Sequence, residues 1–238
     1  MQAVRSAIFV VLHILTAIIF AILAVLILPF PFSVRYRVIS QWAVLNLWLL
    51  KQICGVEYQV VGREHIPAEA CVILCKHESS WETLALQAVF PPQVWVLKRE
   101  LLWIPFFGWG LAALKPIAID RNAGRQALQQ VITQGMVRLQ QGLWVVVFPE
   151  GTRMPRGEMG RFGIGGARLA VESGRSIVPV THNAGKAWPK HGFVKQAGKI
   201  TLVIGEPIRV ANKSANEVNK QVYDWMVVQR DRVEIESA

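Results

Sequence analysis

"LWVVVFPEGTR", residues 143–153, opens with an apolar run and closes on a turn carrying an acid and a guanidinium. The run LWVVVF is continuously apolar rather than alternating. That pattern fits a strand buried on both faces, as in a parallel sheet covered by helices. Similar short runs lie on either side: VEYQVV (56–61), CVILC (71–75), QVWVL (93–97), PIAI (116–119), IVPV (177–180) and ITLVI (200–204). Helical patterns fall between them, at 80–89, 105–114, 123–140, 164–173 and 214–230. Strands alternating with helices predict an α/β fold with a largely parallel central sheet flanked by helices.

The N-terminus is of another kind. AIFVVLHILTAIIFAILAVLIL, residues 7–28, has only His13 and Thr16 as polar residues. As a helix it is roughly 33 Å long, enough for a hydrocarbon core. A signal peptide has a shorter apolar region and a small-residue cleavage site, whereas PFPFSVRYR follows here. The segment is read as a retained membrane anchor, with His13 a tolerated polar residue. A second apolar stretch, 38–54, holds Gln41, Asn46, Lys51 and Gln52. It is expected to lie at the interface or to pack back on the first helix. Arg35 and Arg37 are placed at the turn, where they would meet lipid phosphates. The expected division is 1–54 as membrane-anchoring helices and 55–238 as the α/β domain.

The chain has 238 residues, with 26 Lys and Arg against 16 Asp and Glu, a net charge of +10. No stripe of basic and stacking aromatic residues of a nucleic-acid module is present, so anionic lipid suits the charge better. Cys54, Cys71 and Cys75 form no Cys-x-x-Cys pair and sit in apolar runs, which suggests reduced, buried thiols in a cytosol-facing domain. No metal set emerges. "CKHESSWETL", 75–84, begins like a His-Glu-x-x-His zinc helix, but Trp81 stands at the second ligand position.

In an open α/β sheet, ligands bind outside the carboxyl ends of the strands. That edge receives His77 after 71–75, Arg121 after 116–119, Glu150 to Arg153 after 143–148, and His182 after 177–180. His77 and Glu82 are five residues apart, so on one helix they diverge by about 140°. They meet only if His77 lies in the loop and Glu82 in the first turn. Ser79 and Glu82 also spell a capping box, in which the glutamate merely accepts a backbone N–H. Both readings stand on this segment alone. Gly151 allows close backbone approach, and Arg153 offers a planar fork for phosphate. With Arg121, Lys98 and Arg99 it would make a basic cup; the alternative is a surface turn with a local Glu150–Arg153 pair. LLWIPFFGWGLAAL, 101–114, reads either as core packing or as an acyl-chain tunnel or lipid-dipping surface.

HESSWE (77–82), KREL (98–101) with a following Pro and Gly, PIAIDR (116–121), FPEGTR (148–153) and IVPV come in the order found in the lysophosphatidic acid acyltransferase family. The chain resembles that family over roughly residues 55–205, with Glu82 where the family usually has Asp. The resemblance implies a membrane-bound enzyme that moves an acyl group from acyl-CoA or acyl carrier protein to a lysophospholipid hydroxyl. The acceptor it implies is 1-acylglycerol-3-phosphate and the product phosphatidic acid, with no cofactor. It implies His77 as general base, oriented by Glu82, a role typically worth ~10²–10⁴-fold. Lys98, Arg121 and Arg153 would hold the acceptor phosphate. Glu150 would orient the hydroxyl or Arg153, and Gly151 and Thr152 would shape the turn or donate to an oxyanion. A Gly-x-Ser-x-Gly elbow is absent, so no acyl-enzyme is expected. His182, with no acid at the family spacing, ranks below His77 as base. Other acceptors such as a lyso-ornithine lipid, a thioesterase, and a noncatalytic lipid-binding protein are the competing readings. The expected location is a bacterial inner membrane, with the catalytic domain on its cytoplasmic side and membrane lipids as neighbours.

Overall fold

The computed structural model describes residues 1–235. In chain order the elements are α1 (Gln2–Leu26), α2 (Phe32–Leu49), β1 (Val56–Val61), β2 (Val72–Cys75), α3 (Trp81–Val89), β3 (Gln93–Lys98) and α4 (Phe107–Ala113). There follow β4 (Ile117–Ile119), α5 (Arg125–Gln140), β5 (Trp144–Val147), α6 (Gly165–Ser173), β6 (Ile177–His182), α7 (Ala184–Ala187), β7 (Gly198–Ile204) and α8 (Ala215–Ile235). The seven expected strands all form, within one or two residues of their apolar runs. β6 differs usefully: it runs on through Thr181 and His182, both fully buried, so His182 ends a strand inside the protein instead of standing at an open edge.

The strands lie in the order β1-β7-β6-β2-β5-β3-β4. Every pairing is parallel except β6 with β7, so the sheet is largely parallel, as the continuous apolar runs require. The connections β2-α3-β3 and β3-α4-β4 step toward the β4 edge, while β4-α5-β5 and β5-α6-β6 step back. Right-handed crossovers therefore put α3 and α4 on one face and α5 and α6 on the other. The neighbours β2 and β5, paired from Val72↔Val145 to Leu74↔Val147, send their chains to opposite faces. The carboxyl ends of such a pair are the place where open α/β sheets bind ligands.

The N-terminal helices are bound into this body. α1 packs on α2 and α4, and α2 on α3. One apolar core runs from Phe9 of α1 through Leu74 and Val146 of the sheet to Met226 of α8. The polar residues of the apolar segments meet each other: His13 Nδ1 lies 2.7 Å from Asn46 Oδ1, and Trp42 Nε1–H donates to Thr16 Oγ1 at 3.2 Å. His13 is thus a helix-pairing residue rather than a merely tolerated one, and the second apolar stretch does pack back on the first. It also starts earlier than expected. The helix begins at Phe32 behind Pro31, a residue suited to helix starts, and so takes in both arginines. Arg35 is buried against the Phe32 ring, leaving only Arg37 exposed of the two.

The outer face of α1 is a different surface. Val4, Ile8, Val11, Leu15, Ile19, Ile22 and Leu26 are exposed, at spacings of three and four that keep them on one stripe. Trp103, Ile104, Phe106, Phe107 and Trp109 add an exposed apolar patch around α4, while Ala113 and Leu114 of the same stretch are core. An apolar surface of this size fits lipid better than water. The protein is therefore expected to stay with membranes through a high-salt wash, because apolar burial is not screened by ions. Fractionation checks this, and release by salt alone would contradict it.

Candidate active site

His77 lies in the loop between β2 and α3, and Glu82 is the second residue of α3. Its position in the first turn, with Ser80 as the preceding cap, aims the carboxylate back over the loop. Oε1 of Glu82 is 2.7 Å from His77 Nδ1 and also accepts the N–H of Ser79 at 2.9 Å and of Glu78 at 3.1 Å. Ser79 Oγ completes the helix start by accepting the Trp81 N–H at 3.1 Å. Capping and orientation of the imidazole are thus performed by one oxygen. Because that oxygen is a carboxylate acceptor, Nδ1 carries the proton and Nε2 a lone pair. Nε2 has no partner among the described residues, and the His77 side chain is 17 % exposed while Glu82 is fully buried. The imidazole stacks on Phe148, with centroids 4.0 Å apart and planes 14° from parallel, which fixes its plane.

The turn after β5 is fastened to this loop. The His77 N–H donates to Glu150 Oε2 at 2.9 Å, the Met154 N–H to His77 O at 2.7 Å, and Arg153 Nη1–H to Ser80 Oγ at 2.9 Å. Glu150 Oε1 accepts the Gly160 N–H at 3.0 Å, so both its oxygens hold backbone. Neither a local Glu150–Arg153 pair nor an outward-facing carboxylate is formed; Glu150 stands beneath the His77 main chain. Gly151 has φ +68°, and a Cβ there would meet no neighbouring atom, so open space lies over the turn. Thr152 is exposed beside it.

Arg121 follows β4, two strands from β5, and its guanidinium reaches across the end of β3 to donate to Gly151 O. Arg121 and Arg153 therefore frame the same turn. Lys98 ends β3, two strands and about 10 Å from β2, and pairs with Glu100 at 3.4 Å. Arg99 pairs with Asp120 at 3.3 Å. These two contribute charge at the rim and already have acidic partners. Between Phe148, Arg121 and Gly151 lies a cleft of about 270 Å³ with apolar walls from Val96, Ile119 and Val147. The arrangement supplies an imidazole whose Nε2 is free among the described residues, a carboxylate that orients it, two guanidinium groups and an apolar recess.

The family model described as Acyltransferase matches residues 57–183. The chain is 45 % identical to a 1-acyl-sn-glycerol-3-phosphate acyltransferase of Pseudomonas aeruginosa, over 94 % of this chain and 90 % of that one. The chain belongs to the acyltransferase family. A human 1-acyl-sn-glycerol-3-phosphate acyltransferase alpha is 36 % identical across 66 % of this chain and 57 % of its own. The fold matches the crystal structure of the 1-acyl-sn-glycerophosphate (LPA) acyltransferase PlsC of Thermotoga maritima, with TM-score 0.82 and 20 % identity over 98 % of this chain and 96 % of that one.

Behind His77, this acyltransferase buries a cluster that the sequence did not announce. Lys76 Nζ donates to Glu158 O at 2.8 Å and lies 3.3 Å from Glu78 Oε2 and 3.9 Å from Glu150 Oε1. Burial works against a charge on Glu78, but His182, Lys76 and the Gly185 N–H outweigh it and hold the carboxyl below its ordinary range. Burial likewise opposes a charge on His182, and the Glu82 carboxylate, with Cys75 and Glu78, carries its pKa well above the usual imidazole value. The Cys75 thiol is pushed up to about 11 by burial, and all three cysteines are free and buried. In sequence, "CKHE" shows only charges directly after an apolar run, and the burial of β2 and of Lys76 and Glu78 comes from the structure.

Glu82→Gln keeps an acceptor for the loop N–H groups and removes the charge. It is expected to melt within about 1 kcal/mol of the parent, yet to turn over ~10²-fold or more slowly. Thermal denaturation beside steady-state rates checks both, and normal turnover would return Glu82 to capping alone.

Proposed function

We infer that this chain is a 1-acylglycerol-3-phosphate O-acyltransferase that makes phosphatidic acid. The observation that carries the reading is the unpartnered Nε2 of His77, oriented by Glu82 and set beside a turn framed by Arg121 and Arg153. Nε2 takes the proton of the acceptor hydroxyl as its oxygen attacks the carbonyl carbon of a thioester. The tetrahedral intermediate expels the thiolate, which receives that proton from His77, leaving an ester and a free thiol. Glu82 stabilises the imidazolium between the two steps.

Arg153 and Arg121 hold the acceptor phosphate, each charge-assisted bond contributing about 1.5–3 kcal/mol. Lys98 adds rim charge, and the open Gly151–Thr152 backbone accommodates the glycerol. Glu150 acts through His77, holding the base loop against the turn. The donor is acyl-CoA or acyl carrier protein, and the reaction needs no cofactor. A second acceptor, such as a lyso-ornithine lipid, has less use for paired guanidinium groups. Residues 1–54 form the lipid-facing unit. Buried free thiols and a bacterial relative support a bacterial inner membrane with the site on the cytoplasmic side.

Both donors are offered to the purified protein with several lysolipids, and products are identified by mass spectrometry; phosphatidic acid is expected. Acylation of a phosphate-free acceptor in preference to 1-acylglycerol-3-phosphate would overturn the acceptor assignment. Arg153→Ala is expected to raise KM for the phosphorylated acceptor about tenfold or more, with the donor KM unchanged. Arg153→Lys restores this in part, since an ammonium lacks the bidentate fork. Damage confined to the donor would place the anion site on the other substrate.

A further inference from the structure

The reaction as derived uses Glu82 but leaves unexplained why its other oxygen is built into a closed, charged interior. Oε1 accepts three hydrogen bonds, whereas the buried Oε2 makes none among the described residues. The nearest ionisable group behind Oε2 is His182, whose Nε2 lies 3.7 Å away. His182 ends β6, the strand next to β2, and is fully buried. Its Nε2 also lies 3.1 Å from Lys76 O. A carbonyl can only accept, so Nε2 carries a hydrogen.

The far side of the ring fixes the rest. The Ala184 N–H approaches Nδ1 at 3.2 Å, a bond that the neutral ring accepts, and Glu78 Oε1 lies 3.6 Å from the same nitrogen, an acceptor facing the N–H that the charged ring carries there. Nε2–H is therefore donated to Lys76 O, with Glu82 Oε2 beside it at 3.7 Å, whether the ring is neutral or charged. The groups around it are Cys75, Lys76 and Glu78 from the segment leaving β2, and Glu82 from α3. Beyond Lys76 stands Glu150 from the turn after β5. β7 sets Leu202 opposite His182 in register, and the Trp81 ring meets the imidazole edge-on at 5.8 Å.

We propose that His182 is a positioning residue for acyl transfer: its ring, with Nε2 3.7 Å behind the free oxygen of Glu82, backs that carboxylate and holds Oε1 on His77. The inference rests on His77 being the base. It makes the site a row of two imidazoles with one carboxylate between them, the outer imidazole meeting substrate and the inner one touching only protein. The physical consequence concerns protons. The His77–Glu82 pair is active when it lacks one proton, and a donor or cation behind it disfavours taking that proton up. Removing the donor lets the pair hold the proton to higher pH.

The test compares the full-length protein in detergent with His182→Phe, which keeps a ring without a donor, and His182→Gln, which keeps an N–H. His77→Ala serves as the control. His182→Phe is expected to move the acid limb of kcat/KM upward by about one pH unit and to lower kcat about 10- to 100-fold, with KM for the lysolipid unchanged. His182→Gln is expected to recover most of both. A folded His182→Phe with the parent's acid limb and kcat overturns the proposal, and so does a folded His182→Gln as impaired as His182→Phe. Where His182→Phe does not fold, His182→Met takes its place and is judged by the same limb. Turnover that survives in His77→Ala overturns the base assignment and this inference together; dead His77→Ala beside an unmoved limb overturns this inference alone.

Discussion

A single oxygen, Oε1 of Glu82, joins the imidazole of His77 to two backbone N–H groups of the loop that carries it. A fully buried carboxylate is costly, and three donors on one oxygen offset much of that cost, each charge-assisted bond contributing about 1.5–3 kcal/mol. The start of α3, the shape of the His77 loop and the tautomer of His77 are consequences of that one acceptor. Loss of the acceptor acts on local structure and on the imidazole together.

The second constraint is the neighbourhood of β2 and β5. The pairing brings loops 73 residues apart in sequence into hydrogen-bond contact, through the His77 N–H on Glu150 and Arg153 on Ser80. The His77 loop and the turn after β5 are therefore parts of one rigid unit, and neither can shift without the other. Such preorganisation matters because reacting atoms must be held close to attack geometry for proximity to lower the barrier. The strand order also explains the ranking of the cations: Arg121 reaches back to Gly151 and so joins the turn, while Lys98 and Arg99 remain with their own acidic partners.

Much of this was legible in the sequence, and what escaped it has a common cause. Continuous apolar runs gave away the buried strands, since burial on both faces leaves no room for alternation. Ser79-x-x-Glu82 announced the helix start, and FPEGTR the turn. Strand order was not readable, because β5 sits between β2 and β3 without any local mark of doing so. The roles of Lys76, Glu78 and Glu150 escaped for the same reason. Each is a polar residue whose partner is supplied by a distant segment, and a charge beside a strand looks the same in sequence whether it faces water or a buried counter-charge. His182 was misplaced by the end of its apolar run; Thr181 and His182 extend β6 because the interior offers them polar company. His13 and Asn46 explain each other only once α1 and α2 are laid side by side.

The docking of α1 sets an order of events during synthesis. The Gln2 side-chain amide donates to Cys54 O and Lys195 O, and Ser6 Oγ accepts the Lys195 N–H at 2.8 Å. Chains emerge from the ribosome N-terminus first, at about 5–20 residues per second. The first helix is therefore made on the order of ten seconds or more before the loop at 195 exists. During that interval the helix has first α2 and then α4 to cover part of its apolar surface. The loop at Lys195 closes on the start of this helix only later, through Gln2 and Ser6. Part of the α1 surface must thus find cover before all the elements that pack on it exist.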